Sequence, residues 1–303
     1  MLAGFEKELQ SRLAESLIEM TAIQILLAGL FDYAGLYPPA DLSLQSAANN
    51  YLGYAQGRHA PDLGRFIINA DRLEELRLIM GDSLNQFRLS VVVSDARQLD
   101  AVSNEFSMGT PIEALEIKSL QLETIERMAP AIPRSLKIYV EVPFDSRGFD
   151  SPDAISRLGM RAKIRMGGVV TDAFPPVSAV IQMLKTLAKQ RVPFKATAGL
   201  HHPIRSTQPF TYEPQSAKGT MHGFMNLCCA AAVLFFDGEE SDAERVLQEE
   251  DPSAFQLGED SLQWRHLRWT QERLSILRRE FLISIGSCSF EEPIHDLEAL
   301  DWL

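Results

Sequence analysis

The chain has 303 residues, 46% of them hydrophobic and 23% charged, with a net charge of −12. That length is enough for one large α/β core, and the acidic balance leaves no basic stripe for a phosphate backbone, so no nucleic-acid partner is expected. Cys228, Cys229 and Cys288 make no disulfide framework and favour a reducing, cytoplasmic compartment.

Glu6, Glu8, Glu15 and Glu19 argue against a signal peptide at the start of the chain. Phe5, Leu9, Leu13 and Leu17 stand at four-residue spacing and predict an amphipathic helix within an N-terminal extension, 1–28. That helix would cover the barrel bottom or join two subunits, which leaves a homo-oligomer open. Beyond it, strand-like segments are predicted at 29–33, 65–69, 87–93, 113–117, 136–142, 161–165 and 193–197. Helical patterns alternate with them at 43–56, 71–80, 95–106, 121–129, 152–158 and 176–190. Ala70-Asp71, Ser94-Asp95 and Ser151-Pro152 read as helix starts. The longest apolar run, Phe224 to Phe236, suits a buried helix and is too short for a membrane span, so no membrane partner is expected.

Such alternation predicts a parallel sheet covered on both faces, and the expectation is a (β/α)8 TIM-type barrel of one domain, 1–303. An open doubly wound sheet is the alternative. Ala254–Leu257 competes for the eighth strand, but with Ser261–Trp264 it looks more like a hairpin. Ile283–Ile285 is preferred, with a final helix at 293–301. The segment 238–282 then becomes a helical insertion of two helices and a small hairpin before the last strand.

Barrel enzymes carry their reactive groups at the C-terminal ends of strands. By that rule Asp32, Asn69, Ser94, Lys118 and Glu141 end the first five strands. On the sixth, Lys163 and Arg165 share a face opposed by Ile164; on the seventh, Lys195 and Thr197 share a face opposed by Phe194 and Ala196. Charged groups stranded under outer helices would be costly, so these cations are expected to point into the barrel mouth. Mutual repulsion would lower the proton affinity of the most buried lysine, as an imine-forming nucleophile requires. A filling role is the alternative, with Glu141 pairing Lys163 and Asp32 pairing Arg165.

Lys163 with Gly167, followed by Lys195-Ala196-Thr197-Ala198-Gly199, resembles the paired-lysine strands of deoxyribose-phosphate aldolase and its class I aldolase relatives. The resemblance spans roughly an eighth of the chain and implies that Lys163 forms a Schiff base whose proton affinity Lys195 tunes. Arg165 and Met166 stand where that family prefers small hydroxyl residues, and its acidic proton-relay residue has no clear counterpart, since Lys118 ends the fourth strand. The chain as a whole also resembles a group of bacterial proteins carrying Asp-Tyr-Ala-Gly-Leu, Gly-Leu-His-His-Pro and Ser-Cys-Ser-Phe-Glu-Glu-Pro segments, a resemblance that implies no activity.

His201, His202 and Arg205 open a loop of about twenty residues that closes at His222, the length of a lid or binding loop. His202 and His222 are candidate proton carriers for the lysine chemistry; hydrogen bonding to the loop backbone is their bland alternative. No cofactor is expected, although a divalent metal held by His201, His202, His222 and Glu141 is an alternative without a recognisable motif. Gly167, Gly168 and Gly199, with Ser287 and Ser289, follow strands where backbone amides bind anions, and Arg165 and Arg205 would add charge. The same glycines equally suit tight turns, and Ser289 with Glu292 suits a capping box. Together these features predict an enzyme acting on a small anionic (phosphate- or carboxylate-bearing) carbonyl metabolite by aldolase-like lyase chemistry. A metal-dependent hydrolase or lyase and a non-catalytic metabolite-binding barrel are the alternatives.

Overall fold

The computed structural model describes residues 20–118, 125, 132–145 and 152–303. Eight parallel strands close into a TIM-type barrel, an architecture compatible with many enzymes. They are β1 (Phe31–Tyr33), β2 (Leu63–Asn69), β3 (Leu89–Val93), β4 (Ile112–Ile117), β5 (Lys137–Val142), β6 (Arg161–Arg165), β7 (Phe194–Thr197) and, far later in the chain, β13 (Leu282–Ser287). Ring closure runs through β13, which pairs with β7 on one side and β1 on the other. The eighth strand is therefore the segment around Ile283–Ile285, as expected.

The helices of the described residues form where apolar side chains recur at three- and four-residue spacing. In α6 (Val177–Lys189), Val180, Ile181, Leu184, Leu187 and Ala188 are buried. Before it come α1 (Ala22–Leu27), α2 (Leu44–Gln56), α3 (Leu73–Met80), α4 (Ala96–Ser107) and α5 (Pro152–Arg157). Asp95 caps α4, its carboxylate accepting from the amides of Arg97 and Gln98, and Pro152 takes the first helical position of α5. At Ala70–Arg72 the chain makes a 3-10 turn instead, and α3 begins only at Leu73. The predicted helix at 121–129, apart from Ile125, and the amphipathic repeat at 5–17 lie outside the described residues.

Every residue of α7 (Phe224–Phe235) is buried, because neighbours cover it on several sides. It packs on α6, on α8 (Glu240–Leu247) and on α9 (Gln271–Glu280). Between α8 and α9, the expected hairpin of β10 (Phe255–Leu257) and β11 (Ser261–Trp264) gains a third strand, β12 (Leu267–Thr270). Arg278 on α9 donates to the carbonyls of Ile283 (2.6 Å) and Ala28 (3.0 Å), tying the insertion to the barrel wall. The chain ends in α10 (Glu291–Ala299), whose start lies two residues before the predicted boundary. No helix among the described residues is long and apolar enough to cross a membrane.

Candidate active site

Inward positions of all eight barrel strands build a buried polar layer. Glu141, Lys163, Lys195 and Ser284 stand side by side in register on β5, β6, β7 and β13. Glu116 of β4 reaches across to both lysines. Lys195 Nζ donates to Asp32 Oδ2 and to Glu116 Oε1, both at 2.6 Å. Lys163 Nζ lies 3.0 Å from Glu116 Oε2 and 3.1 Å from Glu141 Oε2. With Arg65 4.0 Å from Asp32, the order Arg65, Asp32, Lys195, Glu116, Lys163, Glu141 alternates in sign throughout. Hydroxyls complete the carboxylate shells: Ser284 Oγ donates to Asp32 and Ser90 Oγ to Glu116, each at 2.7 Å. Asp32 Oδ1 also accepts the Arg65 amide at 2.7 Å, a close approach open only because residue 64 is glycine; a Cβ there would stand 2.4 Å from that oxygen.

This arrangement corrects two expectations. Asp32 pairs with Lys195 and Arg65, not with Arg165; Asp32 is fully buried beneath the cavity lining, whereas Arg165 is exposed and lines the cavity. Nor does repulsion discharge the more buried lysine. Burial disfavours the Lys195 cation, yet Asp32 and Glu116 outweigh it and hold the ammonium well above its ordinary range. Burial likewise opposes charge on Asp32 and Glu116, and their cationic neighbours still depress both carboxyls. Glu141 does pair with Lys163, as predicted.

Above this layer, at the C-terminal mouth of the barrel, opens a cavity of about 420 Å³. Glu116, Glu141 and Lys163 line it, with Arg165 and Lys118 as further cationic lining groups. Asn69, Ser94 and Thr197, all at predicted strand ends, line it too, whereas Asp32 and Lys195 lie buried outside the lining. The segment after β7 is not an irregular loop. Its middle forms an antiparallel hairpin, β8 (Ser206–Pro209) with β9 (Lys218–Met221), and Gln208 to Tyr212 wall the cavity. Phe210 stacks on Phe174 with ring centroids 5.2 Å apart.

A second cluster lines the same cavity. His201 donates from Nδ1 to Glu292 Oε2 at 2.7 Å, and its Nε2 lies 3.8 Å from Cys288 Sγ. Tyr212 Oη, reaching over from the hairpin, donates to the same Glu292 oxygen at 2.8 Å and lies 3.8 Å from Sγ. Burial opposes charge on His201, but its bonds with Cys288 and Glu292 push the imidazole up to about 10. His202 also lines the cavity and donates from Nδ1 to Asp296 at 2.6 Å.

Other predicted site residues stand elsewhere. His222 is buried outside the lining and donates from Nε2 to the Pro175 carbonyl, with burial holding its proton affinity down. Arg205 lies 3.5 Å from Glu250 and is likewise outside the lining. Gly168 and Gly199 border the cavity, while Gly167 does not. Gly199 has φ +68°, and a Cβ there would lie 2.8 Å from Gly167 Cα, so these two glycines serve the close passage of adjoining strand ends. Ser287 and Ser289 lie outside the lining. Ser289 Oγ accepts the Glu292 amide at 3.1 Å, but the Glu292 carboxylate goes to His201 and Tyr212, so only half of the capping box forms.

One ring nitrogen of each histidine expected as a metal donor is engaged, with Glu292, Asp296 and Pro175 respectively, and no group of three or more His, Cys, Asp or Glu among the described residues has metal-holding geometry. Sequence reasoning missed Glu116, although the inward-charge argument used for the lysines applies equally to it, flanked by Leu115 and Ile117. Cys288, Glu292 and Tyr212 gave no spacing signal; only their shared cavity unites them. The three segments Asp32–Leu36, Gly199–Pro203 and Ser287–Pro293 follow or end on β1, β7 and β13, which are neighbours in the barrel. The chain matches no protein-family model, and no curated protein matches it significantly.

Proposed function

We propose that the protein is an enzyme acting on a small anionic carbonyl metabolite, with Lys163 as an imine-forming nucleophile of class I aldolase type. The observation that carries this reading is the position of Lys163 Nζ at the cavity, 3.0 and 3.1 Å from two carboxylates. Glu141, whose side chain is partly exposed, would accept the ammonium proton, and Lys163 would then attack the carbonyl carbon. The same proton would return to the departing hydroxyl as water leaves and the imine forms. Lys195, wholly buried and held charged, would act as a positioning residue through the Glu116 carboxylate it shares with Lys163. Arg165 and Lys118 supply positive charge for an anionic substrate group.

Borohydride trapping with a panel of small phosphorylated and carboxylated aldehydes and ketones tests this. The expected adduct maps to Lys163 by mass spectrometry and disappears in Lys163→Arg. Adducts on neither lysine, or on Lys195 alone, would refute it. A second reading, a metabolite-binding barrel without turnover, draws on the same alternating ion pairs, which also suit a core layer that only fills space. It predicts thermal stabilisation by a ligand that is bound and recovered unchanged.

A further inference from the structure

We propose that Cys288, His201 and Glu292 form a second, thiol-based nucleophilic centre in the cavity, suited to an activated acyl group such as an ester or thioester. It is independent of the lysine chemistry. Three segments contribute: the residue just after β13 supplies the sulfur, the segment after β7 the imidazole, and α10 the carboxylate. Sγ and Nε2 face each other at 3.8 Å, and Nδ1–H is anchored on Glu292 Oε2 at 2.7 Å. Nucleophile, base and orienting acid therefore stand in sequence, a relation recognised by geometry across unrelated folds. Tyr212 Oη donates to the same Glu292 oxygen and so braces the carboxylate from the hairpin side. All four residues line the cavity, so a ligand there meets the sulfur directly.

The environment sets Cys288 apart from the other cysteines. Cys228 and Cys229 lie wholly inside α7 among apolar neighbours, where burial pushes their thiols up and out of reactivity. Cys288 has a histidine within reach and an open cavity before it. The thiolate is the nucleophilic form of cysteine, and the His201 imidazolium, its Nε2 3.8 Å from Sγ, is placed to pair with it and to hand a proton to the leaving group.

The reaction balances with water alone. The thiolate attacks the acyl carbon and the S–C bond forms. The bond to the leaving alcohol or thiol breaks as His201 gives that group a proton. Water, deprotonated by His201, then attacks the thioester carbon, releasing the carboxylic acid and restoring Cys288.

The 303-residue chain can be tested with two probes. Iodoacetamide at neutral pH is expected to label Cys288 and spare Cys228 and Cys229. In His201→Gln the rate at Cys288 should fall about 100-fold, with the fold checked by circular dichroism. If that variant fails to fold, Glu292→Gln reads the same coupling one bond further out and should also slow labelling. p-Nitrophenyl acetate should give a burst of nitrophenolate with an acetyl group on Cys288, absent in Cys288→Ala. Equal labelling rates in wild type and the folded variant, or acetylation confined to other residues, would overturn the proposal.

Discussion

Lys195 shows how much a single side chain is asked to neutralise. It is fully buried and satisfies two carboxylates, Asp32 and Glu116, which are themselves at most 1% exposed. Substituting Lys195→Met removes the cation and leaves both acids in a low-dielectric layer. The expected loss is about 3–5 kcal/mol, read from urea unfolding, because each buried carboxylate loses its 2.6 Å cation and is left only partly compensated, Glu116 by Lys163 and Asp32 by the more distant Arg65. A change below about 1 kcal/mol, the range of surface pairs, would mean the acids accept protons cheaply. Lys185→Met, breaking the exposed Lys185–Glu240 pair, supplies that surface comparison, at about 0–1 kcal/mol.

At the scale of elements, the hairpin β8–β9 decides what reaches the cavity. Among the described residues it forms a sheet of two strands alone, and side chains anchor it: Phe210 on Phe174, and Tyr212 on Glu292. Gly219 opposite is open enough for the ring; a Cβ there would meet Phe210 Cζ at 2.3 Å. Phe210→Ala should therefore accelerate amide hydrogen exchange across Ser206–Met221 while leaving the barrel strands as protected as before. Unchanged exchange in the hairpin would show that the stack does not hold it. The histidine segment was legible as a covering element from its length and composition, but its strand pairing was not. Ser206–Pro209 and Lys218–Met221 do alternate in burial, but their Ser, Thr, Gln, Lys and Gly carry no apolar alternation that could be read along the chain.

For the whole molecule, the polar layer and the histidine cluster make stability depend on pH in two opposed directions. Asp32, Glu116 and Glu292 have proton affinities held below their ordinary values of 3.8, 4.5 and 4.5, so the unfolded chain binds more protons than the folded one in acid. Their contribution is complete above that range and drains as the pH falls through it. His201 runs the other way: raised from 6.5 to about 10, it contributes fully below 6.5 and loses that contribution as the pH rises through 10. Thermal unfolding should show a higher Tm at about pH 6 than at about pH 3 or 9, and His201→Gln should flatten the alkaline fall. A Tm that climbs between pH 6 and 9 would contradict this.

The barrel was legible along the chain, with an open doubly wound sheet as its rival. Strand and helix periods are local, and alternation of Lys163 with Ile164 and of Lys195 with Ala196 is enough to say which side chains turn inward. The sequence also led to the C-terminal strand ends, where Lys163, Glu141, Asn69, Ser94 and Thr197 indeed line one cavity. How the charges pair was not legible along the chain. Lys195 meets Asp32 across 163 positions of chain, and His201 meets Glu292 across 91. No local rule reaches across such separations. Closure of β13 between β7 and β1 brings Cys288 beside His201, and buried Asp32 meets buried Lys195 while Arg165 stays exposed at the cavity. Residue type and period are written along the chain, whereas pairing and proton affinity arise from distances that exist only once the barrel has closed.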